Sequence, residues 1–259
     1  SLPASAIENV GIIFDDREVS GCFDICIASP GISEFSDFYT SAKAASTETI
    51  SEVEFAWRES PAASKWVAIT GTNGKTTTTA LTAFILEQSG IAAKAVGNIG
   101  DACIETVANS IKSGMNDMVY VAECSSYQLA STVDFAPDVA IILGITPDHL
   151  SWHRTHENYK DAKFKLLDNL SSRKGSVAVL DAVNDEVRSK VRDLRTLSDE
   201  ERGFAYIPLG TKVGITGDMR KACGAQNAAF VNEDSELEIA FAGTDHLLAD
   251  ISKMQLKGP

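Results

Sequence analysis

Short apolar runs recur along the chain and are separated by longer segments of mixed polarity. Most of the runs are rich in Val, Ile and Ala without alternating polar positions, which is typical of strands covered on both faces of a parallel sheet. The predicted strands are NVGIIF (9–14), FDICIAS (23–29), WVAIT (66–70), AAKAV (92–96), MVYVAE (118–123), DVAIILGI (138–145) and SVAVLD (176–181).

Two segments between these runs carry apolar residues at helical spacing. Residues 75–89 place Leu81, Phe84 and Ile85 near one face and end before a glycine, a residue type that commonly terminates helices. Residues 157–170 also place several large apolar side chains near one face. Alternating strands and helices predict an α/β fold with a mostly parallel sheet.

The character of the sequence changes near residue 60 and again near residue 203. RESPAASK (58–65) is polar and rich in Pro, Ala and Ser, as linkers often are. We therefore predict a partial first domain over residues 1–60 and a central domain over residues 61–259. Towards the end, NAAFVNEDSELEIAFAG (227–243) predicts a β-hairpin around Asn232–Ser235.

Composition and charge narrow the classes of partner. Hydrophobic residues make up 44% of the chain and charged residues 23%, which is ordinary for a protein with a sizeable core. The formal net charge of -13 repels nucleic-acid backbones, so no nucleic-acid partner is expected. A phosphate group must then be held by local N–H groups, lysines or a metal ion.

Cysteine usage and hydropathy indicate the compartment. The chain has 5 scattered cysteines and no CxxC pair, which favours a reducing cytoplasm over a disulfide framework or a zinc site. No apolar run is long enough to span a membrane, so no membrane partner is predicted. The first residues show no leader pattern and read like the interior of a domain, so we expect truncation at that end.

The segment GTNGKTT (71–77) lies between a predicted strand and a predicted helix. A phosphate-binding loop needs glycines for unusual dihedrals, a helix N-terminus and a lysine that reaches the phosphates. Gly74, Lys75 and Thr76 fit the second half of the general motif, whereas Ile69 occupies the position of its first glycine. The alternative is a flexible turn with a surface lysine. The strand–loop–helix context and the run of threonines, which are poor helix formers, favour the phosphate loop.

The loop and several other motifs resemble the Mur ligases and the related folylpolyglutamate synthetases, which are ATP-dependent amide-forming enzymes. GTNGKTT is similar to their shortened nucleotide loop, and the later motifs are similar to those of the D-glutamate-adding Mur ligases. The similar segments keep the family order along nearly the whole chain: ASPGI (28–32), VGNIG (96–100), AECSSYQL (122–129), TPDHLSWH (146–153), ENYKDAK (157–163) and LKGP (256–259).

The resemblance implies a P-loop-type central domain, preceded by the remnant of a Rossmann-like N-terminal domain that binds the UDP-substrate, with the C-terminal domain absent. The implied reaction converts UDP-N-acetylmuramoyl-L-alanine to an acyl phosphate with ATP, and D-glutamate then displaces phosphate. This is a step of peptidoglycan-precursor synthesis in the bacterial cytoplasm. We expect a monomer, and we expect weak or no nucleotide binding and no turnover from this chain alone, because domain closure assembles such sites.

The resemblance also assigns residues to roles. Its nucleotide-binding set is Gly71, Thr72, Asn73, Gly74, Lys75, Thr76 and Thr77. Its metal-ligand set, for Mg²⁺ or Mn²⁺, is Thr76, Glu123, His149 and Lys163, and its catalytic set is Lys75, His149 and Lys163. The substrate-binding set is Asn98, Ser125 and Ser126, whose alternative role is ordinary turn and cap chemistry.

Lys163 is the least obvious of these residues, because a lysine on a predicted helix is usually solvated. In the family the matching lysine is carbamylated by CO₂, which turns a cation into an anion that faces the metal ions. The reaction needs a neutral amine, and hence a lysine whose pKa is lowered by burial or by nearby cations. Lys160 and Lys165 lie on the same predicted helix and have no expected role.

Two other functions remain open from the sequence. One is an amide ligase of the same superfamily that adds a different amino acid, or adds glutamates to folate; the AECSSYQL segment favours the D-glutamate-adding branch. The other is a nucleotide-binding module without catalysis. Such a module does not need His149 and Lys163 beside the phosphates.

Overall fold

The computed structural model describes residue 11 and residues 18–210, 228–231, 236–241 and 244–250 of the chain. The strands are β1 (Phe23–Ala28), β2 (Ser46–Ser51), β3 (Lys65–Thr70), β4 (Ala93–Gly97), β5 (Val119–Glu123), β6 (Val139–Ile142), β7 (Val177–Asp181), β8 (Ala205–Leu209), β9 (Ala228–Val231), β10 (Glu236–Phe241) and β11 (Thr244–Asp250). The helices are α1 (Asp37–Ala44), α2 (Glu52–Glu59), α3 (Lys75–Gln88), α4 (Cys103–Lys112), α5 (Ser126–Ala130), α6 (Leu150–His153), α7 (His156–Phe164), α8 (Asp185–Thr196) and α9 (Asp199–Arg202).

The strands form two sheets. β1 and β2 pair in parallel as a two-stranded sheet, and the other strands form a nine-stranded sheet in the order β11-β10-β9-β8-β7-β6-β3-β5-β4. Within this sheet, every neighbouring pair from β9 across to β4 is parallel, and β10 pairs antiparallel with both β9 and β11. The predicted α/β fold with a mostly parallel sheet is confirmed.

Polar side chains cap the N-termini of several helices. In each case the residue before the helix accepts a backbone N–H from the first turn, which satisfies a donor that the helix itself leaves unpaired. These capping residues are Ser36 before α1, Ser51 before α2, Ser125 before α5, Thr155 before α7, Asn184 before α8 and Ser198 before α9.

The main core lies where α2 and α4 cover the central strands of the large sheet. Trp66 of β3 and Tyr120 of β5 are opposite each other in the strand register, with ring centroids 4.9 Å apart. Phe135 packs edge-on against Trp66 at 6.1 Å and against Trp57 of α2 at 5.8 Å. This aromatic group anchors β3, and therefore the loop that follows it, on a rigid layer.

Each of the predicted strands from residue 23 onwards overlaps an observed strand, and of the run at 9–14 the structure describes only residue 11. The run at 138–145 is strand only as far as Ile142, because Leu143 and Gly144 turn towards the loop after β3: the N–H of Thr72 donates to the carbonyl of Gly144 at 2.8 Å. The predicted hairpin is confirmed by antiparallel β9 and β10, and its turn at 232–235 lies outside the described residues.

The helix predictions agree in one case and are too long in the other. The helix predicted over 75–89 is α3. The helix predicted over 157–170 ends at Phe164 and continues as two short 3₁₀ turns at Lys165–Leu167 and Leu170–Ser172. The side chain of Asn169 donates to the carbonyl of Val133 at 2.7 Å, and the buried leucines of both turns enter the core. Tertiary contacts therefore override the helical spacing.

The described residues contain no helix that is both long and apolar enough to cross a membrane.

Candidate functional site

The carboxyl ends of three adjacent strands meet at one edge of the large sheet. β3 lies between β5 and β6, and the chain crosses from one side of β3 to the other, which makes this edge the usual place for a ligand site in α/β sheets. The N–H of Cys124 donates to the carbonyl of Ile69 at 2.8 Å, and the N–H of Leu143 donates to the carbonyl of Thr70 at 2.9 Å. The loop after β3 is thus flanked by Glu123 and by the segment that leads to His149.

Two glycines shape the loop. Gly71 has φ 153°, and a Cβ there would lie 2.6 Å from Cβ of Leu143. Gly74 has φ 81°, in the left-handed region that favours glycine, and α3 begins directly after it. No side chain of the described residues caps α3, so its first N–H groups have no side-chain acceptor there, at the positive end of a 14-residue helix. This arrangement suits an anion such as phosphate.

Lys75 and Thr72 lie at the same loop. The amine of Lys75 donates to the carbonyl of Thr72 at 3.0 Å. The hydroxyl of Thr72 donates to the carbonyl of Thr146 at 3.1 Å and accepts the N–H of Thr146 at 2.9 Å, and it lies 2.9 Å from the Tyr159 hydroxyl. The Thr72 side chain therefore ties the loop to the next segment, whereas Asn73, Thr76 and Thr77 are exposed.

Glu123 is a buried carboxylate at the end of β5 and is 2% exposed. Its Oε1 accepts the side-chain amide of Asn98 at 3.0 Å, and its Oε2 is buried without a hydrogen-bond donor among the described residues. Gly97 allows this close approach, because a Cβ there would lie 2.4 Å from the carbonyl oxygen of Glu123. A buried, unpaired carboxylate oxygen is costly unless a cation or donor reaches it. It is therefore the atom of this edge that best fits a hard metal ion.

Lys163 of α7 is 1% exposed and enters the same edge from below the loop. Its amine donates to the carbonyl of Gly71 at 2.8 Å and lies 4.7 Å from the centre of the Tyr159 ring. Burial lowers the pKa of Lys163 to about 7, with the charge of Lys75 as the second cause, while Asp148 and Glu123 act in the opposite direction. A lysine in these surroundings is partly neutral near pH 7.

His149 is exposed, with 45% of its side chain accessible, whereas the predicted ligands Glu123 and Lys163 are buried. It has φ 51°, an unusual value for a residue with a Cβ. Its Nε2 lies 3.6 Å from Asp148 Oδ2, and its ring centroid lies 4.9 Å from that of Tyr127 and 6.0 Å from that of Tyr159. The imidazole is therefore at the rim of the site, on the side that faces solvent.

The predicted substrate-binding residues have partners inside the protein. Ser125 caps α5 in a reciprocal arrangement with Gln128, and the Ser126 hydroxyl lies 2.9 Å from Nε2 of His153. The Asn98 amide is bonded to Glu123. The cap chemistry considered from the sequence is present at Ser125, and the roles of all three residues towards a substrate stay predictions.

Sequence reasoning did not assign roles to Tyr159 and His153, although both lie at the centre of this group. Tyr159 counted as an apolar face residue of a helix, but it also lies against Thr72, Lys163 and His149. His153 is fully buried, and burial lowers its pKa to about 4. The available signals were its place at the end of the similar segment TPDHLSWH and its position four residues after His149, and neither distinguishes a buried histidine from a surface histidine.

Comparisons with known proteins identify the family to which the chain belongs. The Mur ligase middle domain family matches residues 69–246. The UDP-N-acetylmuramoylalanine--D-glutamate ligase of Alkaliphilus oremlandii (strain OhILAs) is 35% identical over 237 residues, which are 88% of this chain and 50% of that protein. The ligase of the same name from Nostoc sp. (strain PCC 7120 / SAG 25.82 / UTEX 2576) is 46% identical over 144 residues, which are 56% of this chain and 30% of that protein.

Among solved structures, UDP-N-acetylmuramoyl-L-alanyl-D-glutamate--2,6-diaminopimelate ligase superimposes with a TM-score of 0.51 at 16% identity, covering 94% of this chain and 58% of that one. At that identity the likeness concerns the fold alone. The chain spans about half the length of the curated relatives that match most of it, at 50% and 48% of their length.

Proposed function

The chain belongs to the Mur ligase family, and from that membership we propose that the whole protein is an ATP-dependent ligase that adds D-glutamate to UDP-N-acetylmuramoyl-L-alanine. The names of the relatives support this choice of substrates over those of other amide ligases. The reaction belongs to peptidoglycan-precursor synthesis, which contributes to the cell wall, cell shape and cell division. We propose a monomer that acts in the bacterial cytoplasm, with residues 1–60 contributing to binding of the UDP-substrate and residues 61–259 to binding of ATP.

One observation carries the proposal. An uncapped helix N-terminus with Lys75 lies beside Glu123, whose Oε2 is buried without a partner in the described part of the chain. The first feature suits a phosphate group, and the second suits the cation that accompanies a nucleotide triphosphate. An ordinary turn with a surface lysine does not explain the buried, unpaired carboxylate oxygen of Glu123.

The residues present fit a divalent ion. Thr76, Glu123, His149 and a carbamylated Lys163 would hold Mg²⁺, or Mn²⁺ because imidazole is an uncommon ligand of Mg²⁺. A bound divalent ion would supply positive charge next to the phosphates, where negative charge accumulates during transfer. The fit rests on the free oxygen of Glu123 and on the exposed imidazole of His149.

Other groups of the protein would bind the phosphates, orient Glu123 and contact the substrate. Lys75 and the first N–H groups of α3 would bind the β- and γ-phosphates and stabilise the charge of the transferring group. Gly71, Thr72, Asn73, Gly74, Thr76 and Thr77 would complete the phosphate loop. Asn98 would orient Glu123, and Ser125 and Ser126 would form the wall on which the muramoyl-alanine substrate lies.

Lys163 would act as a carbamate. Its neutral amine attacks CO₂, a nitrogen–carbon bond forms, and one proton is released to solvent, which leaves an anion on the side chain. The carbamate nitrogen retains one N–H, which can still donate to Gly71. Burial and the neighbouring Lys75 favour the neutral amine that this step requires.

Isothermal titration with the non-hydrolysable ATP analogue AMP-PNP, with and without Mg²⁺, tests the nucleotide site. We expect weak, Mg²⁺-dependent heat from the 259-residue chain, because domain closure strengthens such sites, and loss of that heat in Lys75→Ala. Lys112→Ala, at the exposed end of α4, is the matched control and should bind like the unchanged chain. Equal binding by Lys75→Ala would contradict the phosphate loop.

The choice of amino acid is tested on the whole protein that carries this sequence. Phosphate release from ATP is measured with UDP-N-acetylmuramoyl-L-alanine and one amino acid at a time. We expect release with D-glutamate and little with L-glutamate, L-lysine or meso-diaminopimelate. Preferred use of any of the other three would favour a different ligase of the family, and nucleotide binding without any release would favour a binding module.

A further inference from the structure

The segment from His149 to Arg154 has an unusual backbone. The short helix α6 lies between these two residues, which are the non-glycine residues of the described chain with positive φ, at 51° and 67°. Residues with a Cβ avoid this region, so such a conformation persists where surrounding contacts hold it in place. The contacts of this segment therefore determine where the His149 imidazole lies.

His153 makes the most deeply buried of these contacts. The ring Nε2 of His153 lies 2.9 Å from the Ser126 hydroxyl, and the backbone N–H of His153 donates to the carbonyl of His149 at 3.1 Å. Its own carbonyl accepts the side-chain amide of Asn158 at 2.8 Å. His153 thus connects the backbone of His149 to α5, which follows Glu123 in the chain, and to α7, which carries Lys163.

The Tyr127 ring joins the two histidines. It stacks on His153 with an interplanar angle of 16° and a centroid distance of 5.6 Å, and its centroid lies 4.9 Å from that of His149. A shift of the His153 ring would therefore displace both the backbone of His149 and the aromatic face on which His149 packs. His149 itself is half-exposed, so the surrounding protein does little else to restore its position.

We propose that His153, through its hydrogen bond to Ser126 and its stacking on Tyr127, is a positioning residue that fixes His149 for metal binding. This inference rests on the proposed function, in which His149 is a metal ligand. It gives the Ser126 hydroxyl a structural partner inside the site. It also gives a reason for a completely buried histidine at this position.

The test uses Mn²⁺ alone as the probe, because free Mn²⁺ is measured directly by electron paramagnetic resonance. We expect His149→Ala, His153→Phe and Ser126→Ala each to weaken Mn²⁺ binding about tenfold, as loss of a ligand or of its support commonly does. The double variant His153→Phe/Ser126→Ala should be no weaker than either single variant, because both changes remove the same hydrogen bond. His153→Gln, which can still bond to Ser126, should recover part of the affinity.

His156→Phe is the matched control. His156 also lies on the 150–160 stretch and packs near Tyr159, but its Nε2 faces Glu186 at 3.3 Å rather than Ser126. It should bind Mn²⁺ within about twofold of the unchanged chain. In NMR spectra, the ring signals of His149 should shift in Ser126→Ala and not in His156→Phe, a change that a general loss of stability does not predict.

The outcomes distinguish the role of His149 as a metal ligand from the role of His153 as its positioning residue. If His149→Ala binds Mn²⁺ as well as the unchanged chain, or if the unchanged chain binds none, the assignment of His149 as a ligand fails and the positioning role fails with it. If His149→Ala weakens binding but His153→Phe and Ser126→Ala do not, the positioning role fails and the ligand assignment stands. Should His153→Phe not fold, Ser126→Ala, which removes a single oxygen, still decides the question.

Discussion

Lys163 combines two features that lower the pKa of a lysine, since its amine is removed from water and lies near the second cation Lys75. With a pKa of about 7, about nine tenths of the amine is neutral at pH 8 and about one tenth at pH 6. We therefore predict that the chain, in ¹³C-labelled bicarbonate, shows a carbamate signal in ¹³C NMR that decreases as the pH falls from 8 to 6. The neutral amine is the reactive form and the reaction releases a proton, so the lower neutral fraction and the higher proton concentration at pH 6 both oppose carbamate formation.

The same helix provides the control. Lys160 pairs with Glu157 at 2.8 Å, and this hydrogen bond raises its pKa, so its amine stays charged. Lys163→Met should abolish the carbamate signal and Lys160→Met should retain it. A signal that persists in Lys163→Met would assign the carbamate to another amine.

Gly97 supports the strand end that carries Glu123. Its φ is 99°, and an added Cβ would lie only 2.4 Å from the carbonyl oxygen of Glu123, so an alanine there must displace β5. We predict that Gly97→Ala lowers the free energy of unfolding by about 2 kcal/mol or more, measured by urea denaturation. Gly114→Ala, at φ 74° with open space around it, should cost about 1 kcal/mol. Equal losses would show that the contact with Glu123 does not matter.

Motifs located single residues better than they located the partners of those residues. The family resemblance singled out Lys75 on a loop, Glu123 at a strand end and Lys163 on a helix, and the structure brings all three to one sheet edge. The contact of Tyr159 with Thr72 joins residues 87 positions apart in the chain. No local spacing contains that information, because it depends on how α7 crosses the carboxyl end of β3.

At the scale of elements, apolar strands were predictable from the sequence and polar strands were not. β2 has the sequence STETIS, which lacks an apolar run, and it becomes a strand by parallel pairing with β1. The β3 and β5 runs, by contrast, are apolar on both faces and buried on both faces. Element type is thus predictable where burial dictates sequence, and less so where a neighbouring strand supplies the hydrogen bonds.

A cluster of carboxylates around Arg58 holds α2 against neighbouring elements. Glu48, Glu54 and Asp134 lie close enough together to hold a metal ion, but Arg58 of α2 already bonds to all three. The pKa of Arg58 is raised above its usual range mainly by its hydrogen bond to Glu48, so it remains charged. The fully buried Glu54 also accepts the N–H groups of Val133 and Asp134, at 2.6 and 2.9 Å.

We predict that Glu54→Ala lowers the free energy of unfolding by about 3 kcal/mol, because it leaves two backbone N–H groups and part of a guanidinium without their acceptor. Urea denaturation measures the change. Glu59→Ala, at the exposed end of the same helix, should alter stability by less than about 0.5 kcal/mol. A loss below about 1 kcal/mol in Glu54→Ala would mean that water replaces the carboxylate at little cost.

At the scale of the whole molecule, the proposed boundary between residues 1–60 and 61–259 separates elements that share one core. The linker composition of 58–65 indicates a division there, yet α2, which ends at Glu59, packs its buried Val53 and Ala56 into the same core as β3. A polar stretch such as 58–65 shows where the chain is exposed, but it does not show which elements pack into the same core. Elements that share a core tend to unfold together.

Trp57 of α2 reports on this question, because it contacts Phe135 at 5.8 Å, and Phe135 also contacts Trp66 of β3. In the variant Trp66→Phe/Trp152→Phe, Trp57 is the remaining tryptophan, so its fluorescence follows α2 alone. We predict that this fluorescence and the far-UV circular dichroism of the same variant change together in urea, because α2 and the large sheet lose one common core. A fluorescence transition that precedes the dichroism transition would place α2 with the first domain and support a boundary at residue 60. Coincident transitions would place α2, together with the ion-pair cluster of Glu54 and Arg58, in the cooperative unit that carries the loop after β3.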